Sequence, residues 1–325
     1  MEIIGHQKNL NFLDFIIEHD KINQAYLFFG PPNIGKELVA MDFATKILTK
    51  ACGPDTKIKV EQQIRQRIYP DLCWLERLEG KKNISIEQIR EIHSFLTLKS
   101  FANSYKVVII NNAEELSREA ANSLLKFLEE APAKIIIILV AHNLRKILPT
   151  ILSRCQLFKF NPVPLKEIKK FLADDLHLKE SEAQLFSQLS FGRPGIAINL
   201  LKNKETQINY SEEIKNFLRL IDQPIAARLN FISSLDNPPF FSWEIVLRDA
   251  LLNKNNLLII NSTLETRIKK IWSHWSDERT LRFIKDIQRA KKLLKLNINK
   301  KLVLENLFIL LGNDSPAGRE NKMRG

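Results

Sequence analysis

The sequence has no apolar stretch long enough to cross a membrane. Its longest purely apolar run, Ile135 to Ala141, is seven residues, against roughly twenty for a spanning helix. The opening residues, Met1 to Lys8, lack the charged-then-apolar pattern of a secretory leader. Cysteine is scarce as well: Cys52, Cys73 and Cys155 are widely separated and odd in number. They make neither a disulfide framework nor a metal box, and they suit a reducing compartment. Together these absences predict a soluble, cytoplasmic protein. No Ser/His/Asp set, no His-Glu-x-x-His pattern and no repeat of fixed period is present. Acidic residues fall short of basic ones, 37 against 49, giving a net charge of +12 and a pI near 9.5. A basic surface suits a nucleic-acid partner, because neutralising phosphates releases counterions. The lysines are nevertheless scattered along the whole chain among many Asn and Ile, as a general compositional bias would also place them.

Apolar residues make up 45% of the 325 positions, enough for two or three packed cores. The first 160 or so residues alternate strand and helix patterns. The runs 25–29, 106–110 and 134–140 are short, apolar and β-branched, which predicts strands buried on both faces of a parallel sheet. Helical spacing follows at 37–48 and at 117–130, where Ser117 is placed to act as N-cap. The segment Asn161-Pro-Val-Pro164 breaks the alternation, and everything periodic after it reads as helix, including 164–176, 181–189, 212–221, 243–252, 264–275 and 278–294. The polar stretch 313–325 reads as a disordered tail. The fold class is thus α/β followed by all-α, with divisions at 1–163, 164–203, 204–312 and 313–325.

Gly30-Pro-Pro-Asn33-Ile-Gly35-Lys36 has the G-x-x-x-x-G-K form of a phosphate-binding loop and lies between a strand and a helix, as such a loop must. Glycines let backbone N–H groups turn toward an anion, and the helix start adds its positive dipole end. Lys36 would sit on the β- and γ-phosphates of a nucleotide; a relic loop stabilised by its own turn is the other reading. Two partners of that chemistry are missing. The Ser or Thr that should ligate Mg²⁺ is Glu37, and the acidic residue expected after the 106–110 strand is replaced by Asn111-Asn112. An amide neither takes up a proton as a base nor neutralises a metal. Glu114 and Glu115 fall in the turn that leads into the next helix. The absence of turnover is the expectation, with ATP or ADP bound without hydrolysis and an empty relic loop both left open.

At this point the sequence resembles the AAA+ clamp-loader subunits of bacterial DNA polymerase III over nearly its whole length. The residues that carry the resemblance are Ile3-Ile-Gly-His-Gln7, the P-loop, Tyr69-Pro-Asp-Leu72 with 84–90, and the signature helix 119–130. They continue with Ser153-Arg154-Cys155, Gly192-Arg193-Pro-Gly195 and the 296–305 segment. The resemblance implies an AAA+ P-loop parallel-sheet domain, a helical lid and a C-terminal helical collar domain. It implies a heteropentamer with clamp-loader ATPase subunits and the delta subunit, acting on the sliding clamp and on primed DNA. It implies that Arg154 reaches a neighbour's ATP site as an arginine finger; the plain alternative is a surface arginine after a helix. Arg193, at the lid entry, would touch nucleotide or else be an exposed loop residue. His142 falls where the fold places a phosphate sensor, though a lone histidine there is more often structural. Trp243, Trp272 and Trp275 read as core or subunit-contact residues.

The departures from the family sharpen the reading. Related subunits carry a four-cysteine zinc module before Tyr69, where this chain has Cys52 alone. One thiolate cannot make a tetrahedral site, so no zinc is expected. The losses at Glu37, Asn111 and Asn112 point to a ring member that does not hydrolyse ATP. The competing classes are an independently active AAA+ ATPase, such as a DNA motor, and a lone basic DNA-binding adaptor. The first needs the missing metal ligand and base; the second has no recognisable DNA-reading module.

Overall fold

The computed structural model describes residues 2–50, 52–101, 105–130, 134–202, 204–221, 223–233, 235, 238–254, 268–269, 275–296 and 298–312. The polar tail, Trp272 and most of the expected 264–275 helix lie outside them.

The chain divides into two compact units, Met1–Ile198 and Asn199–Gly325. The first is built on five strands: β1 (Ala25–Phe29), β2 (Leu72–Leu75), β3 (Lys106–Ile110), β4 (Ile135–Ala141) and β5 (Gln156–Lys159). They are ordered β2-β3-β4-β1-β5, and every pairing is parallel. The three central strands are the three apolar runs legible in the sequence. Because successive strand residues point to opposite faces, β3 sends Val107 and Ile109 one way and Val108 and Ile110 the other.

Each set meets its own helices. Helices α1 (Gln7–Glu18), α2 (Lys36–Thr49) and α3 (Pro54–Arg65) cover the first face, with Leu13, Phe43, Ile47 and Ile64 packed on Tyr26, Phe28 and Ile138. Helices α4 (Ile86–Thr97), α5 (Arg118–Glu130) and α6 (Pro149–Leu152) cover the second, with Ile89, Ile92, Leu124 and Ile151 on Leu27, Ile137 and Leu139. Full burial of each such side chain contributes about 1.5–3 kcal/mol. Helix α5 starts where expected, since Ser117 Oγ accepts the Ala120 N–H at 3.1 Å. Helices α7 (Leu165–Asp174) and α8 (Glu180–Leu189) and the first half of α9 (Pro194–Lys202) complete this region.

The second unit is helical throughout its described length: α10 (Lys204–Ile221), α11 (Ile225–Ser233), α12 (Phe240–Lys254), α13 (Asp277–Lys295) and α14 (Lys300–Gly312). Its centre is aromatic. Trp243 stacks on Phe217 at 5.3 Å and meets Phe240 and Phe308 edge-on at 5.5 and 5.2 Å. Trp243 and Trp275 are therefore core residues. No helix among the described residues is long and apolar enough to cross a membrane.

Candidate functional site

Parallel strands bring their C-terminal ends to one edge of the sheet, which is where α/β folds gather ligand-facing loops. Here that edge carries the Gly30–Lys36 loop after β1, Asn111 to Glu115 after β3, and His142 after β4. Gly30 has to be glycine: a Cβ there would lie 2.2 Å from the Phe160 carbonyl oxygen. Asn33 and Gly35 hold positive φ values of 63° and 97°, so the loop arches and then enters α2. Two neighbours pin it. His6 Nε2–H donates to the Ile34 carbonyl at 2.7 Å, and the Gly195 N–H donates to the Asn33 carbonyl at 2.9 Å.

Lys36 is turned inward, 2% exposed. Its ammonium donates to the carbonyls of Gly30 (2.8 Å) and Pro31 (2.7 Å) and to His142 Nδ1 (2.8 Å). An ammonium has three N–H donors, and all three are used within the loop and its neighbour. Burial pushes the Lys36 pKa down to about 8, against the pull of Glu114 and Glu37.

Because Nδ1 accepts from Lys36, the His142 ring is neutral with its proton on Nε2. Burial, and then the Lys36 charge, hold its pKa below the ordinary value, while Glu114, Glu37 and the Gly30 backbone oppose this. Its backbone N–H donates to both Glu114 carboxylate oxygens, at 3.0 and 3.2 Å. Glu114 sits in the tight turn Ala113–Glu115, as the sequence suggests, but its role at the site is not legible there. It is committed across the sheet edge to the backbone after β4.

The positions that would hold a catalytic metal are otherwise engaged. Asn111 is buried; its N–H donates to the Leu75 carbonyl at 2.8 Å, and its Oδ1 accepts the Asn112 N–H at 3.1 Å. Asn112 adopts a left-handed conformation with φ 53°, and Glu37 is exposed on the first turn of α2. No hydroxyl follows Lys36 to hold Mg²⁺, Asn111 and Asn112 carry no carboxylate, and that of Glu114 is committed to the His142 N–H, so this residue set does not fit a hydrolytic nucleotide–magnesium centre.

The remaining candidates stand apart. Arg193 Nε donates to the Ser190 carbonyl, at 3.4 Å. Arg154, in the turn between α6 and β5, is exposed. One guanidinium nitrogen pairs with Glu129 of α5 at 2.5 Å, and the other donates to the Thr150 carbonyl at 3.0 Å and Ser153 Oγ at 3.3 Å. The thiols are poor metal ligands in this setting: burial pushes Cys73 up to about 11 and Cys155 up to about 12. Cys52 Sγ lies 3.9 Å from the Leu48 carbonyl.

Comparison with known proteins agrees with this organisation. Residues 5–164 match the family model described as DNA polymerase III, delta subunit. A DNA polymerase III subunit delta' of Pseudomonas aeruginosa is 28% identical over 303 residues, 88% of this chain and 90% of its own. The corresponding delta' subunit of Bacillus subtilis is 27% identical over 91% of this chain and 92% of its own length. A DNA polymerase III subunit gamma of Buchnera aphidicola subsp. Baizongia pistaciae is 30% identical over 79% of this chain and 72% of its own.

Proposed function

Because the chain belongs to the clamp-loader subunits of bacterial DNA polymerase III, on the delta-prime branch, and so to the machinery of DNA replication, we propose that it serves there as a ring member that does not hydrolyse ATP and that lends Arg154 to a neighbour's ATP. Its partners in this reading are clamp-loader ATPase subunits and the delta subunit in a heteropentamer, with the sliding clamp and primed DNA as the objects of the assembly. The helical second unit would supply the ring contacts.

The observation that carries the non-hydrolysing reading is the state of the sheet edge. Glu37 replaces the magnesium hydroxyl, Asn111 spends its amide on backbone, and Lys36 has no N–H left for a γ-phosphate. Any nucleotide held here would be held without turnover. The purified chain is expected to show no ATPase above background with excess Mg²⁺ and DNA, and to contribute to turnover only when mixed with clamp-loader partners. Steady turnover by the chain alone, lost in Lys36→Ala, would refute the reading.

For Arg154, magnitudes support the trans role. An exposed ion pair such as Arg154–Glu129 contributes about 0–1 kcal/mol. A guanidinium facing phosphate oxygens makes charge-assisted, bidentate bonds that are stronger. Exchanging Glu129 for a neighbour's phosphate is therefore favourable once the ring brings the two together.

We also propose that the chain holds no structural zinc, since Cys73 lies in β2 and Cys155 in the turn before β5, both with raised thiol pKa values. Elemental analysis of the purified protein should find far less than one zinc per chain. A stoichiometric value would mean a ligand set that these residues do not suggest.

A further inference from the structure

We propose that His142 and the carbonyls of Gly30 and Pro31 form an internal ligand set that holds the Lys36 ammonium in the loop, so that a nucleoside di- or triphosphate binds there only when His142 releases it. This goes beyond the absence of turnover: it concerns admission to the loop, and it makes His142 the residue that governs it.

The geometry leaves little freedom. Three acceptors at 2.7–2.8 Å saturate the three ammonium donors, so a phosphate can be contacted only by giving one of them up. Two of the acceptors are loop backbone; His142 is the one side chain among them. Its backbone is held without help from Lys36, because the His142 N–H donates to both oxygens of Glu114. The loop itself is tied at two points, since His6 donates to the Ile34 carbonyl and Gly195 to the Asn33 carbonyl. Burial lowers the Lys36 pKa to about 8, as expected for an ammonium taken out of water. Hydrogen bonds from a charged donor are roughly twice as strong as neutral ones. Removing the His142 acceptor should therefore shift Lys36 measurably toward a form that can meet an anion.

The test uses the full chain and Mg-ADP carrying a fluorescent ribose label, with wild type, His142→Ala, His142→Asn and the double variant His142→Ala/Lys36→Ala. His142→Leu fills the same space without an acceptor and takes the place of the alanine variant if that one unfolds. A second readout is acylation of Lys36 by an amine-reactive ester at about pH 8, followed by mass spectrometry. The variant without an acceptor should bind the probe about tenfold or more tighter than wild type, lose that gain when Lys36 is also removed, and acylate Lys36 several-fold faster. His142→Asn, whose Oδ1 falls close to the Nδ1 position, should stay near wild type. Equal affinity and equal acylation in wild type and the acceptor-free variant would overturn the proposal, as would a gain that survives the loss of Lys36. Steady ATP turnover by the wild-type chain would instead refute the non-hydrolysing reading while leaving the internal ligand set intact.

Discussion

An assembled ring carrying Arg154→Ala should join its partners normally and yet lose DNA-stimulated ATPase and clamp loading at one interface. Arginine fingers in small GTPases contribute roughly 10³–10⁵ in rate at their own site, so the site facing Arg154 should fall nearly silent. Sites elsewhere in the ring keep working, and total turnover should drop only by that interface's share. Folding should be unaffected. The substitution removes an exposed ion pair with Glu129 and two hydrogen bonds to Thr150 and Ser153, and an exposed pair of this kind contributes only about 0–1 kcal/mol. Arg154→Lys should rescue poorly, because a compact ammonium lacks the planar fork that faces two phosphate oxygens at once. Loading at the wild-type rate by the alanine ring would make Arg154 an ordinary surface residue.

The largest stability loss is expected at Trp243→Ala. Trp243 is 1% exposed and touches Phe217, Phe240 and Phe308, drawn from α10, α12 and α14. Truncating a buried tryptophan costs about 3–5 kcal/mol through lost transfer energy and the cavity left behind. Whole domains are stable by only about 5–15 kcal/mol. The helical unit should therefore become marginal, and its unfolding should move to much lower denaturant. The α/β unit has its own two cores and should keep its transition. A loss below about 1 kcal/mol would mean that the aromatic cluster is not what holds this unit together.

Legibility in the sequence followed burial. Strands β1, β3 and β4 occupy the middle of the sheet, are covered on both faces and so read as unbroken apolar runs. Strands β2 and β5 are the edges; Leu-Cys-Trp-Leu and Gln-Leu-Phe-Lys are four residues each, with only two and one of them buried. Neither carries a pattern strong enough to announce a strand. Helix α3 commits a single buried residue, Ile64, and its apolar period is accordingly absent. At the site, Gly30, Gly35 and Lys36 were legible because their spacing lies within one turn of chain. Glu114 and His142 were not joined by any such spacing. They are 28 positions apart and meet only because β3 and β4 lie side by side. The sequence places Lys36 in a phosphate loop; that its ammonium is already satisfied is a matter of three-dimensional neighbours.

The Val163 N–H donates to the Gly192 carbonyl at 2.7 Å, and three residues after Gly192 the Gly195 N–H reaches the Asn33 carbonyl. Gly192 itself has φ 75°, and a Cβ there would press within 2.8 Å of the Val163 carbonyl oxygen. The entry to α9 is thus riveted to the sheet unit at two points by main-chain bonds, with no room for the joint to flex. A hinge blocked in this way transmits no signal of its own. In the ring proposed above, such a subunit would act as a fixed jaw against which its partners work.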